Sequence, residues 1–160
     1  MSSSLRFVGV ELAHAGLAPI LSRLDLHLTP GWTGVVGANG AGKTTLLELA
    51  TGTRAPSAGH VVRDPDDLTI AMCPQEVAAL TEDVRALAAS DDRAARRWRG
   101  RLGCDPDQLA RWPTLSPGER KRWQLAAALA TGPDLLALDE PTNHVDRGTR
   151  DAIAAALRGF

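Results

Sequence analysis

With 18 basic against 19 acidic side chains among 160 residues, a formal charge of −1 and a pI near 6.4, the chain has the size of one domain and no strong charge bias. A chain of this length buries about two-thirds of its unfolded surface, and its balanced charge excludes a surface that coats nucleic acid or membrane throughout. Cys73 and Cys104 lie far apart with no C-x-x-C, which excludes a disulfide framework or zinc site and fits reduced thiols in a cytoplasmic protein.

In chain order, Met1-Ser2-Ser3-Ser4 is not followed by a signal-peptide pattern, and no apolar run reaches the roughly 20 residues of a membrane span. Any membrane contact is therefore expected through a partner. Residues 5–12 read as a strand, and Leu24, Leu26 and Leu28 alternating with Asp25, His27 and Thr29 read as a second. A loop with Gly16 and Pro19 joins them. Thr33, Val35 and Val36 then suit a short buried strand leading into Gly37-Ala38-Asn39-Gly40-Ala41-Gly42-Lys43-Thr44, which fits the phosphate-cradling pattern G-x-x-x-x-G-K-[ST]. Downstream, Thr45 to Ala50 has helix-forming composition and a stop at Gly52.

The residue types suit a nucleoside triphosphate. Glycines let successive backbone N–H groups converge on an anion, and the helix starting near Gly42 adds its positive end. Lys43 supplies a mobile cation for the β- and γ-phosphates, and Thr44 a hard oxygen for Mg²⁺. Of the 18 basic residues only Lys43 and Lys121 are lysine, so an arginine-rich chain departs from its habit at the motif.

Residues 54–59 form a turn-rich link to a strand near His60–Arg63, and Leu68 to Met72 supplies another strand ending at Cys73-Pro74-Gln75. From Thr81 to Arg111 an Ala-, Arg- and Asp-rich texture predicts helices. Here Arg93, Arg96, Arg97, Arg99 and Arg101 surround Trp98, which suits either an RNA-contacting patch or a solvated arginine face. The adjacent Asp91 and Asp92 favour the second. Leu115-Ser116-Pro117-Gly118-Glu119 opens a further helix to about Thr131, with Ser116 as N-cap, Pro117 at the first helical position and Glu119 completing a capping box. Leu135 to Leu138 reads as a parallel strand buried on both faces, delivering Asp139 and Glu140 to its C-terminal edge, where ligand groups gather in open α/β sheets. A last helix is expected over residues 147–157.

These segments, in this order and over most of the chain, resemble the nucleotide-binding domain of ATP-binding cassette (ABC) proteins. Residues 37–44 match Walker A, Gln75 the Q-loop, residues 115–119 the family signature (usually LSGGQ), residues 135–140 Walker B, and Asn143 to Asp146 the D-loop. Residues 138–146 and the run Glu119-Arg120-Lys121-Arg122 look most like the F subfamily of translation-associated ATPases. A transporter ATPase is the alternative, and a non-hydrolysing remnant the second alternative.

The resemblance implies an α/β P-loop NTPase core with a mostly parallel sheet and N-terminal antiparallel strands, occupying residues 1–75 and 133–160, with an inserted helical subdomain at about 76–132. It implies Mg²⁺ and ATP as ligands, the latter held by residues 37–45. Thr44, Gln75 and Asp139 are expected at the metal, with Glu140 polarising the attacking water. It further implies a second cassette whose phosphate is covered in trans by Ser116, the Gly118 amide and Glu119, with Asp146 in the D-loop. A ribosomal or RNA partner, or a membrane partner reached only indirectly, follows from the choice of subfamily.

The sequence departs from the family in three places. Pro117 replaces a glycine and lacks an N–H. The adenine-stacking position falls on His14, equally readable as a plain loop histidine. No histidine follows the D-loop, where the family places one on a strand between the P-loop and Walker B strands. Loss of that strand leaves a gap of roughly 9–10 Å with unpaired backbone groups. The C-terminal part of the family fold is thus expected to be missing, and ATP binding by the isolated chain to be weak unless the two strands close directly or a partner inserts one.

Overall fold

A computed structural model of the chain describes residues 3–13 and 19–160, so His14 lies outside the described residues. The fold divides into two compact units, one ending at Ile70 and the other beginning at Ala71.

The first unit is built on β1 (Ser4–Leu12), flanked by β2 (Leu21–Leu28) and β3 (Ala58–Asp64) in an antiparallel sheet of order β2-β1-β3. Both pairings break register around Gly9, whose positive φ of 55° marks a bulge. The extra residue shifts the period-two alternation by one. Leu5 and Phe7 before it and Val10 and Leu12 after it are consequently all buried. Asp25 accepts the freed Gly9 N–H at 2.8 Å. Helix α1 (Lys43–Thr51) contributes buried Leu49 and Ala50, and ends where Gly52 turns left-handed at φ 79°. Arg63 donates to the Thr51 carbonyl just before that turn, at 3.1 Å.

The expected strand at Thr33 to Val36 does not form. This stretch joins neither sheet, and Trp32 and Val36 are 68% and 93% exposed. A buried strand requires hydrogen-bonded neighbours and a covered face, and the described residues supply neither to this segment. Side-chain composition suited a strand; pairing decided otherwise.

In the second unit, β4 (Ile70–Cys73) pairs with β5 (Leu135–Leu138) as a two-stranded sheet. β4 begins two residues after the expected Leu68, which is buried in the preceding loop instead. In β5 only Ala137 is buried and the three leucines are half-buried, so the expectation of a strand covered on both faces is corrected. Its one partner strand among the described residues is β4. The helices are α2 (Glu82–Ala89), α3 (Arg93–Leu102), α4 (Pro117–Ala130) and α5 (Arg147–Leu157), with a 3₁₀ segment at Pro106–Thr114.

Helix α4 is the core of this unit. Its Trp123, Leu125, Ala126 and Leu129 are buried against a cluster that includes Val84, Leu87, Leu102 and Ile153. Small alanines let its neighbours approach closely, and the Trp123 indole N–H is satisfied by Gln108 Oε1 at 3.0 Å. Arg93, Arg96, Arg97 and Arg101 are exposed, as the solvated-face reading expects. Trp98 is 6% exposed, with the Arg97 and Arg101 guanidinium groups 4.7 and 5.4 Å from its ring centre. Arg99 donates to the carbonyls of Leu87, Ala88 and Ser90 at the end of α2. No base has access to that ring, which corrects the RNA-stacking alternative. No described helix is long and apolar enough to cross a membrane.

Gly59, at φ 74°, passes so close to β1 that a Cβ would collide with the Gly9 carbonyl. Gly59→Ala should therefore cost at least about 1–2 kcal/mol in urea unfolding, the left-handed strain alone accounting for that much.

Candidate active site

In the first unit the glycine loop turns through Ala38–Ala41, where the Ala41 N–H donates to the Ala38 carbonyl at 3.2 Å. Gly40 and Gly42 follow at φ 79° and 90°. A Cβ at Gly40 would point into open space, while one at Gly42 would lie 3.0 Å from Ile20 Cγ2. Glycine at 42 thus lets the start of α1 pass beside Ile20. α1 has no side-chain cap hydrogen bond and no acidic residue in its first turn, so no carboxylate of that turn offsets the positive end of its dipole. Lys43 Nζ donates to the carbonyls of Gly37 and Ala38, each at 3.0 Å, which folds the ammonium over the loop. An anionic ligand of several phosphates fits this set: a positive helix end, a neighbouring ammonium and the Thr44 hydroxyl for a hard cation. Thr45 follows on the same turn.

In the second unit Asp139 and Glu140 follow β5 directly. Asp139 is 4% exposed, and its N–H donates to the Cys73 carbonyl at 3.0 Å. Glu140 adopts a left-handed φ of 43°. Its Oε2 accepts from the Gln75 amide at 2.9 Å and the Asn143 amide at 2.8 Å. Gln75 and Glu140, 65 positions apart, thereby meet with Asn143 at one carboxylate oxygen. Glu140 is thus held in position just past the strand end, since a carboxylate accepts readily from two amides.

The sequence reading missed two members of this group. Asn143 was seen only as part of a motif. Lys121, 4% exposed, reaches from α4 to the carbonyls of Pro74 at 2.6 Å and Gln75 at 2.9 Å. Burial lowers its pKa, an effect opposed by the nearby Cys73 and Asp139. The rarity of lysine applied to Lys121 as much as to Lys43, but nothing local showed what it reaches. Burial pushes the Cys73 and Cys104 thiols up to about 12, so neither is a nucleophile at neutral pH.

The signature segment caps α4 as expected. Ser116 Oγ accepts from the Glu119 N–H at 3.2 Å, while the Ser116 N–H and hydroxyl both donate to Glu119 Oε2 at 2.8 Å. Those bonds, with Arg111 and Arg122 nearby, hold the Glu119 carboxyl below its ordinary range. Gly118 is buried, and a Cβ there would lie 3.0 Å from Thr149 Oγ1 and 3.4 Å from Asp146 Oδ2. Asp146 itself caps α5, accepting the Thr149 N–H and hydroxyl at 2.9 Å each, and this lowers its pKa. The structure thus brings Gln75, Asp139, Glu140, Asn143 and Lys121 together, and Ser116, Gly118 and Glu119 near Asp146. Residues 37–45 belong to the other unit.

Residues 21–143 match the ABC transporter family, and the chain belongs to that family. It is 35% identical to the nickel import ATP-binding protein NikO of Rhodobacter capsulatus, an alignment covering 98% of this chain and 73% of that protein. Against the aliphatic sulfonates import ATP-binding protein SsuB of Rhodopseudomonas palustris it is 34% identical, over 86% of this chain and 54% of the relative. A solved structure of a bacterial Atm1-family ABC exporter with ATP bound shares the fold. Its TM-score is 0.80 at 24% identity, covering 99% of this chain and 33% of that one. The chain therefore spans about three-quarters of the first of these proteins, about half of the second and a third of the last.

Glu119 and Asp146 bind protons less readily folded than unfolded. Their stabilisation is fully present above the ordinary values of 4.5 and 3.8 and is lost as pH falls through the lower folded ones. The urea midpoint of the chain should accordingly fall as pH drops below about 5, and combining Glu119→Gln with Asp146→Asn should flatten that decline.

Proposed function

We propose that the chain is the ATP-binding and ATP-hydrolysing cassette of a membrane transport system, acting on the cytoplasmic side with a second cassette. The observation that carries this is the Glu140 carboxylate held by Gln75 and Asn143 beside buried Asp139, in a chain whose relatives include proteins named as import ATP-binding proteins. Residues 37–45 bind the triphosphate through backbone N–H groups and Lys43. Thr44, Gln75 and Asp139 are the residues that would hold a magnesium ion, which would supply positive charge against the phosphates. Glu140 orients the attacking water and accepts its proton, while Gln75 and Asn143 keep that oxygen in place.

The N-terminus of α4 serves the partner cassette. Ser116 exchanges Glu119 for a phosphate oxygen of the partner's nucleotide, and the Gly118 N–H adds a second donor. Pro117 contributes none. Asp146 keeps α5 capped beneath Gly118, so the two segments move together. In this reading residues 1–75 and 133–160 form the nucleotide core, and about 76–132 the helical part that meets the membrane partner.

The F-subfamily reading rests on residues 138–146, whose text is close to LDEPTNHLD. Import ATP-binding relatives favour the transporter. Recovery of the tagged protein with a membrane protein supports that choice, and recovery with ribosomes reverses it.

Lys43→Ala removes a charge-assisted contact of about 1.5–3 kcal/mol, so the Kd for Mg-ATP should rise about tenfold or more. Glu140→Gln should leave Kd within about twofold and reduce turnover about 10²-fold or more. Nucleotide titration and phosphate release check both; equal loss of binding in the two variants, or unchanged turnover in Glu140→Gln, contradicts the assignment.

A further inference from the structure

We propose that Lys121 is a positioning residue, whose buried ammonium fixes the Pro74–Gln75 turn and through it sets the Gln75 amide on the Glu140 carboxylate. The proposal rests on the hydrolytic role given to Glu140 above.

A buried ammonium is costly unless it is hydrogen-bonded, and this one has the shape of a deliberate clamp. It stands on the second turn of α4 and donates to two successive carbonyls 46 and 47 residues away in sequence. Gln124, one residue short of the next turn, adds a longer contact of 3.4 Å to the same Pro74 carbonyl. Packing alone would be served by an apolar side chain, as at Trp123 and Leu125 on the same helix. The two carbonyls instead belong to the peptide units on either side of the Gln75 Cα, so the ammonium fixes the backbone from which the Gln75 side chain projects. Pro74 restricts that backbone further, its ring holding φ near −65°.

The contacts form one chain of strong bonds. From the capped start of α4 it runs through Lys121 Nζ to the Pro74 and Gln75 carbonyls, then from Gln75 Nε2 to Glu140 Oε2. The N-terminal turn of α4 is also the segment assigned to the partner's nucleotide. Any shift of α4 on cassette pairing is therefore delivered to the hydrolytic carboxylate mainly through Lys121, with Gln124 adding its longer contact. Asn143, the other donor to Glu140 Oε2, sits three residues on in the same loop and carries no such link to α4.

The test uses the full chain with Lys121→Met, which keeps the length and removes charge and donors, and Lys121→Arg, which restores both. The first readout needs no nucleotide: the side-chain amide signal of Gln75 in ¹⁵N NMR spectra. It should move in Lys121→Met toward its position in Glu140→Ala, and return in Lys121→Arg. The second readout separates binding from turnover. Lys121→Met should keep the Kd for Mg-ATP within about twofold, lower kcat about tenfold or more, and recover at least about half of it as Lys121→Arg. A Gln75 signal that stays in place while only thermal stability falls overturns the proposal, as does failure of arginine to rescue. If Lys121→Met does not fold, Lys121→Gln, which keeps a neutral donor, is read by the same signal with the same outcomes. Absence of ATP turnover in the unaltered chain would defeat the proposed function, while the Gln75 signal would still decide the role of Lys121.

Discussion

Every helix begins with backbone N–H groups that need an acceptor, and the way this chain distributes acceptors sets its chemistry. Helices α3, α4 and α5 each provide their own, through Asp92, Ser116 and Asp146. α1 provides none, because Gly42 stands at its N-cap and no acidic residue occupies its first turn. With Lys43 folded over the same loop, the positive end of α1 suits an anion from outside the chain.

The second unit handles the opposite charge. Its Glu140 carboxylate accepts from two neutral amides, and Asp139 is fixed beside it by its own backbone N–H, which donates to the Cys73 carbonyl. Lys121, the ammonium close to this pair, is spent on two carbonyls. Two carboxylates thus stand side by side after β5, an arrangement suited to a metal ion and a water. The signature segment shows how one geometry serves two purposes, since the box that caps α4 within the chain uses the same hydroxyl that would meet a phosphate.

Much of this was legible in the sequence because it is local. The capping box at Ser116 and Glu119, the stop at Gly52 and the turn chemistry of residues 37–42 depend on neighbours within a few positions, and all formed as read. What depended on distant partners was less legible. Thr33 to Val36 has the composition of a strand, but a strand exists only with something beside it. Trp98 looked available among arginines until α3 turned its ring inward beneath two of them. Lys121 and Asn143 carried the right chemistry, yet no spacing rule shows that a lysine on α4 reaches a turn 46 residues earlier. The burial of both Phe7 and Val10 required the bulge at Gly9, which alternation alone does not announce.

The central claim is that backbone N–H groups at the start of α1 hold the phosphates. Hydrogen–deuterium exchange of the purified chain, with and without Mg-ATP, measures those groups themselves. Slowed exchange confined to residues about 38–46 and the loop after β5 is the result expected. Unchanged exchange at residues 38–46 under nucleotide concentrations that protect another part of the chain would contradict it.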